Sequence, residues 1–185
     1  MKVKNRLAVI LPGIGYHKDK PLLYYATKLV KAKGYKVICI DYSGMPKDIK
    51  GDAAKMKMAA EIACEQTKEQ LKETDFGIYE EILFIAKSIG TVAAAKYVGD
   101  HSIEAKQIWY TPVEATFSVE AKNAIAFIGE ADPWSDVSKL KSMASECGIK
   151  MYSYPDGNHS LECGNIGKDI AVLEEVMEIT ESYIG

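Results

Sequence analysis

Apolar residues fall along this chain in short continuous blocks, separated by longer stretches in which apolar positions recur at helical spacing. Leu7 to Leu11 is one such block, and it runs directly into Pro12-Gly13-Ile14-Gly15. An unbroken apolar run of that length reads as a strand buried on both faces, since a half-exposed strand would alternate. Pro21 to Lys33 then carries Leu22, Leu23, Ala26, Leu29 and Val30 on one helical face, with Gly34 as its stop. The same alternation continues to the end. Val37 to Ile40, Ile82 to Ala86, Gln107 to Tyr110, Ala124 to Ile128 and Ile149 to Tyr152 read as strands. Asp52 to Lys72, Thr91 to Val98, Ser135 to Glu146 and Gly167 to Ser182 read as helices. Short apolar strands separated by amphipathic helices predict an α/β fold: a mostly parallel sheet of about six strands with helices on both faces. The connection from Tyr110 to Ala124 is too short for a clear covering element.

Composition narrows the class. With 185 residues, 48% apolar and 26% charged, the chain is expected to form one domain over residues 1–185 around a single core. A net charge of -3 provides no general electrostatic attraction for nucleic acid. No block reaches the roughly 18 apolar residues of a membrane span. The basic start, Met1-Lys2-Val3-Lys4-Asn5-Arg6, resembles the head of a signal peptide, but the apolar block after it is short and lacks a small-residue cleavage pattern. Cys39, Cys64, Cys147 and Cys163 are scattered, without the spacing of a disulfide scaffold or a metal site. A reduced, cytoplasmic setting is the resulting expectation.

The chemistry-bearing residues stand where the predicted strands end. In Ile82-Leu83-Phe84-Ile85-Ala86-Lys87-Ser88-Ile89-Gly90 an apolar run stops at a serine and a helical run begins at once. That arrangement exposes a hydroxyl on a tight turn, with small residues two positions to either side, close to the pattern G-x-S-x-G. Asp132 follows the block ending at Gly129, and His159 follows the last predicted strand. The order Ser, Asp, His suits a nucleophile, a carboxylate that orients the base, and a base that takes the serine proton.

On these motifs the chain resembles a small, lidless α/β-hydrolase over nearly its whole length. Pro12-Gly13-Ile14-Gly15 stands where that family usually has His-Gly-x-Gly, and Ala86-Lys87-Ser88-Ile89-Gly90 matches its nucleophile elbow. Gly129-Glu130-Ala131-Asp132 matches its acid loop, and Asn158-His159-Ser160 its base loop. The resemblance implies Ser88 as nucleophile, Asp132 as acid and His159 as base, with the backbone N–H groups of Ile14 and Ile89 as the oxyanion hole. Pro12 replaces the usual histidine, and Ala86 the usual first glycine. It further implies an acyl-enzyme mechanism on a small-molecule ester or thioester, with no cofactor and no metal. Thr111 through Asn123 provides little material for a cap.

Bland readings stand beside these. Ser88 is also suited to capping a helix, Asp132 precedes Pro133 and has Asp136 as a rival, and His159 lies in an evident turn. His17 precedes the serine and is a poor general base, while His101 reads as a surface turn. The substrate pocket is expected from Ile14, Gly15, Tyr16, His17, Pro112, Val113 and Trp134. Lys87 either reaches that pocket or forms a salt bridge on the flank of the sheet. Two other functions are compatible with the fold: a non-catalytic interaction module, and a nucleotide-binding domain using Gly13-Ile14-Gly15 and Asp41. The second lacks a third small residue, because Lys18 stands at its position.

Overall fold

A computed structural model describes residues 5–119 and 122–185. The first four residues of the basic start, and two residues of the connection before the fifth strand, lie outside the described residues. Among the described residues six strands form one sheet: β1 (Arg6–Leu11), β2 (Lys36–Cys39), β3 (Glu81–Lys87), β4 (Lys106–Tyr110), β5 (Ala124–Gly129) and β6 (Lys150–Tyr154). Every pair is parallel, in the order β2-β1-β3-β4-β5-β6. Each predicted strand is present, with ends shifted by one or two residues.

Five α-helices among the described residues cover the sheet: α1 (Pro21–Ala32), α2 (Ala53–Leu71), α3 (Ile89–Asp100), α4 (Val137–Glu146) and α5 (Ile166–Ile184). Strand alternation divides the core between the two faces. Ala8, Ile10, Leu83, Ile85, Ile108 and Phe127 pack with Leu22, Leu23 and Ala26 of α1 and Val176 and Ile184 of α5. Leu7, Val9, Leu11, Phe84 and Ala86 face the other way, toward Ala59 and Ala63 of α2 and Val92, Ala93 and Ala94 of α3. Trp109, Ala126 and Ile128 extend that second layer to Leu140 and Ala144 of α4. Local chemistry sets several helix starts: Asp52, Asp136 and Asn165 accept from the backbone N–H three residues on, and Pro21 opens α1. Between β4 and β5 the described residues of the crossover include one 3-10 segment, Glu114–Ser118, too short to give a helical pattern.

The strand order reverses direction at β1. β2 lies on one side of it, and the chain then returns to place β3 on the other. The turns leaving β1 and β3 therefore diverge from a crevice at the carboxyl edge, where a doubly wound sheet has room for a ligand. Ser88 stands on the second of those turns.

Candidate active site

Ser88 occupies the junction of β3 and α3 with φ 52° and ψ −122°. A residue with a β-carbon is strained there and persists only where its surroundings over-determine it. Gly90 provides that constraint: a β-carbon on it would lie 2.4 Å from the Pro12 carbonyl oxygen and 2.9 Å from that of Leu11. The small residue on the far side of the elbow plays a different part. Ala86 is fully buried, and its methyl group joins the core between β1 and α3, so alanine fits where the family pattern has glycine.

The Ser88 hydroxyl makes no helix-capping hydrogen bond. Its oxygen instead lies 2.8 Å from Nε2 of His159, and Nδ1 of the same ring lies 2.7 Å from Oδ2 of Asp132. Asp132 has no exposed side-chain surface and His159 has 18%. The second carboxylate oxygen of Asp132 accepts from the Trp134 backbone N–H at 2.9 Å. Asp136, the rival acid, accepts from the Lys139 N–H at the start of α4.

Loop packing fixes His159. A β-carbon on Gly129 would stand 2.1 Å from the Gly157 carbonyl oxygen and 2.5 Å from that of Asn158, so the acid loop and the base loop touch backbone to backbone. The Asn158 side chain accepts from the N–H groups of Ser160 and Glu162, and the Thr111 hydroxyl donates to the His159 carbonyl at 3.1 Å. The Trp134 ring lies 5.7 Å from that of His159. Thr111 carries no signal in the local sequence, because its partner lies on another loop. Burial lowers the His159 pKa below its ordinary 6.5; the Asp132 carboxylate opposes that shift and the charge of Lys87 adds to it. The imidazole is thus held as the free base at neutral pH.

The turn after β1 packs on the elbow: a β-carbon on Gly13 would stand 3.1 Å from that of Ser88. Gly13 and Tyr16 exchange backbone hydrogen bonds across this turn, leaving Ile14 at its tip, and Ile89 is the first residue of α3. No carbonyl oxygen in the described turns and loops accepts from the N–H of either residue.

The expected pocket residues separate into three groups. Val113 and Trp134 line a cavity of about 530 Å³ that starts at Ile89, beside Ser88, and continues along Met56, Ala60 and Ala53 of α2. Gly15, His17 and Ile14 line a smaller cavity of about 210 Å³ with Asp41 and Tyr42. Tyr16, Lys87 and Pro112 are buried and line neither. The α2 residues were not foreseen, because the crossover from β2 to β3 brings them to the site from far away in sequence. Of the two expectations for Lys87, neither is met. It is fully buried, and its ammonium nitrogen has no hydrogen-bond partner among the described residues.

His17 is exposed and faces Asp19, and the ring of His101 stacks on Tyr97 at 4.1 Å. Asp41 faces Lys18 at 3.5 Å. Among the described residues no group of His, Cys, Asp and Glu side chains has the arrangement of a metal site.

The parallel six-stranded sheet, with a serine on a strained turn after β3, has the fold of the α/β hydrolases. Among solved structures it is similar to an alpha-beta serine hydrolase homologue from Coxiella burnetii, at 15% identity, over 100% of this chain and 88% of that one, with a TM-score of 0.69. It is likewise similar to Est1E from Butyrivibrio proteoclasticus in a structure with ferulic acid bound, at 12% identity, 98% and 90% coverage and a TM-score of 0.68. The Pyrococcus furiosus esterase Pf2001 matches at 12% identity, 98% and 84% coverage and a TM-score of 0.64. No family model and no curated protein sequence matches the chain.

Proposed function

We propose that this protein is a serine hydrolase that cleaves a small ester or thioester through an acyl-enzyme on Ser88. The carrying observation is the unbroken chain of contacts from the Ser88 oxygen through both ring nitrogens of His159 to Asp132, at 2.8 and 2.7 Å. Both distances are within the reach that proton transfer requires.

Ser88 Oγ attacks the substrate carbonyl carbon as its proton passes to His159 Nε2. The Asp132 carboxylate stabilises the imidazolium so formed. The carbonyl oxygen, now negative, is held by the N–H groups of Ile14 and Ile89, the second of which also has the positive end of the α3 dipole behind it. Collapse of the tetrahedral intermediate expels the alcohol or thiol, which leaves with the proton from His159. Water then repeats the sequence on the acyl-enzyme and releases the acid. This route needs no metal or cofactor.

The cavity beside Ile89 supports an apolar acyl group as the recognised part of the substrate. Its walls are largely Met56, Ala60, Ile89, Val113 and Trp134, and its volume of about 530 Å³ suits a small molecule. We read the chain as one domain, 1–185, without a substantial cap, which leaves the cavity open from the carboxyl edge. Likeness to hydrolases and esterases supports this reading over an interaction module on the same fold. The scattered cysteines support a cytoplasmic setting.

Hydrolysis of p-nitrophenyl and thioester substrates of increasing acyl length tests the proposal. Turnover that saturates, and that disappears in Ser88→Ala, is expected. Equal rates for the wild type and Ser88→Ala would refute it.

A further inference from the structure

Lys87 ends β3, immediately before Ser88, and its side chain has no exposed surface. Alternation along the strand sends it to the face where Leu83 and Ile85 join the core beneath α1 and α5. Methionine would fill that space without the desolvation of an amine, so packing alone does not account for lysine here. The amine nitrogen has no hydrogen-bond partner among the described residues. It stands instead over the ring of Tyr16, 4.9 Å from the ring centre. Burial lowers the Lys87 pKa from 10.5 to about 7, and both the ammonium and the amine carry N–H groups that the face of a ring accepts.

Tyr16 closes the turn after β1. Its carbonyl accepts from the Gly13 N–H at 3.1 Å and its own N–H donates to the Gly13 carbonyl at 3.3 Å, with Ile14 and Gly15 between. Its hydroxyl accepts from the Leu22 N–H at 3.1 Å, one of the donors that the first turn of α1 leaves without a partner inside the helix. Lys87 meets this turn at both ends. Its nitrogen lies over the Tyr16 ring, and a β-carbon on Gly13 would stand 3.3 Å from the Lys87 carbonyl oxygen and 3.4 Å from Lys87 Cγ. Between those two contacts the turn is open on one side, since a β-carbon on Gly15 would meet nothing within 4 Å.

We propose that Lys87 and Tyr16 form a positioning pair for the oxyanion hole: by holding the Tyr16 ring, the Lys87 amine fixes the Gly13 to Tyr16 turn, and with it the Ile14 N–H, against the elbow that carries Ser88 and Ile89. One chain segment then sets both the attacking oxygen and the place of a donor that comes from a different strand. Displacement of such a donor by about an ångström removes much of its effect on the transition state. The consequence for catalysis rests on the acyl-transfer reading; the anchoring of the turn does not.

The test compares the full-length wild type with Lys87→Met, Tyr16→Leu, the double variant and Tyr16→Phe. For ester hydrolysis, Lys87→Met and Tyr16→Leu are each expected to lose about tenfold in kcat with KM little changed, the pattern of an interaction that acts on the transition state. The double variant should lose no more than either single one, because each removes the same contact. Tyr16→Phe restores the ring and should recover most of the loss seen in Tyr16→Leu. Hydrogen exchange read by nuclear magnetic resonance gives a result independent of activity: the Gly13 and Tyr16 amides should exchange faster in Lys87→Met and Tyr16→Leu while those of β1 and β3 hold. A lysine that only fills space would lower the melting temperature with kcat unchanged, or raise exchange equally in turn and strands, and either result overturns the proposal, as do losses that multiply in the double variant. Should Lys87→Met not fold, Tyr16→Leu and Tyr16→Phe decide: a gap of about tenfold in kcat supports the role of the ring, and equal values refute it. Faster exchange confined to the turn, in a protein without hydrolytic activity, would support the anchoring and refute the acyl-transfer reading.

Discussion

The two ends of the sheet handle polar groups in opposite ways. At the amino edge, Arg6 of β1 pairs with Glu81 of β3 at 2.8 Å and donates to the Lys33 carbonyl, while Tyr35 donates to the same glutamate. Lys106 of β4 likewise reaches the carbonyl oxygens of Tyr183 and Ile184. These groups are at or near the surface, partnered, and act as fasteners between chain segments. At the carboxyl edge, Asp132 and Lys87 are buried, Ser88 and Thr111 have positive φ, and backbone loops approach so closely that Gly90 and Gly129 admit no side chain. Positive φ is shared by both ends, since Ser102 and Asn123 have it at the amino edge, but buried charge and backbone-to-backbone packing of loops occur together at the carboxyl edge. Departures of that kind, concentrated in one place, are how an active site differs from its scaffold.

Substitutions at the two edges should therefore separate activity from stability. The largest effect is expected at Ser88. Replacement by glycine should reduce ester hydrolysis on the order of 10⁴-fold or more, while relief of the positive φ raises stability by about 1 kcal/mol after the added freedom of the unfolded chain. Urea denaturation together with an activity assay reads both; a destabilised Ser88→Gly would mean that the elbow stores no strain. Next comes Gly129→Ala, where the new methyl group collides with the base loop and should cost about 3 kcal/mol as well as most of the activity. Differential scanning calorimetry showing an unchanged transition would contradict the close approach of the two loops.

The third effect is a pH dependence. Lys87 titrates near 7 in the folded protein and at 10.5 in the unfolded chain, so between those values the unfolded state holds more protons and stability rises with pH. Urea midpoints should increase from pH 7 to pH 9 in the wild type, and that increase should flatten in Lys87→Met. Parallel curves for the two proteins would show that Lys87 is not enclosed. The depressed pKa of His159 acts with the same sign lower down, lost stability accompanying the fall in pH through and below 6.5. The smallest effect belongs to the amino edge. Arg6→Ala should lower stability by less than about 1 kcal/mol, the scale of a partly exposed ion pair, and leave kcat/KM unaltered. A changed kcat/KM would break the contrast between the edges.

Much of this contrast is legible in the sequence. Continuous apolar blocks mark strands buried on both faces, and the order of Ser88, Asp132 and His159 beyond three of them points to the edge where the structure brings the three together. Lys87 shows where such reading stops. A lysine ending a strand is ordinarily solvated, but here the Gly13 to Tyr16 turn folds over it from another strand and the side chain is fully buried. The cavity is hidden for a related reason: its wall comes from α2, more than a strand away in the chain, and Pro112 is drawn inward by the short crossover from β4 to β5. Local pattern specifies which segments form elements, while contacts between distant turns decide what their ends enclose.

Reaction with a fluorophosphonate, followed by mass spectrometry of the digested protein, tests the central claim most directly. A single adduct on Ser88 that forms in the wild type and is lost in His159→Ala is the predicted result. An inert Ser88, or labelling that ignores His159, would contradict it.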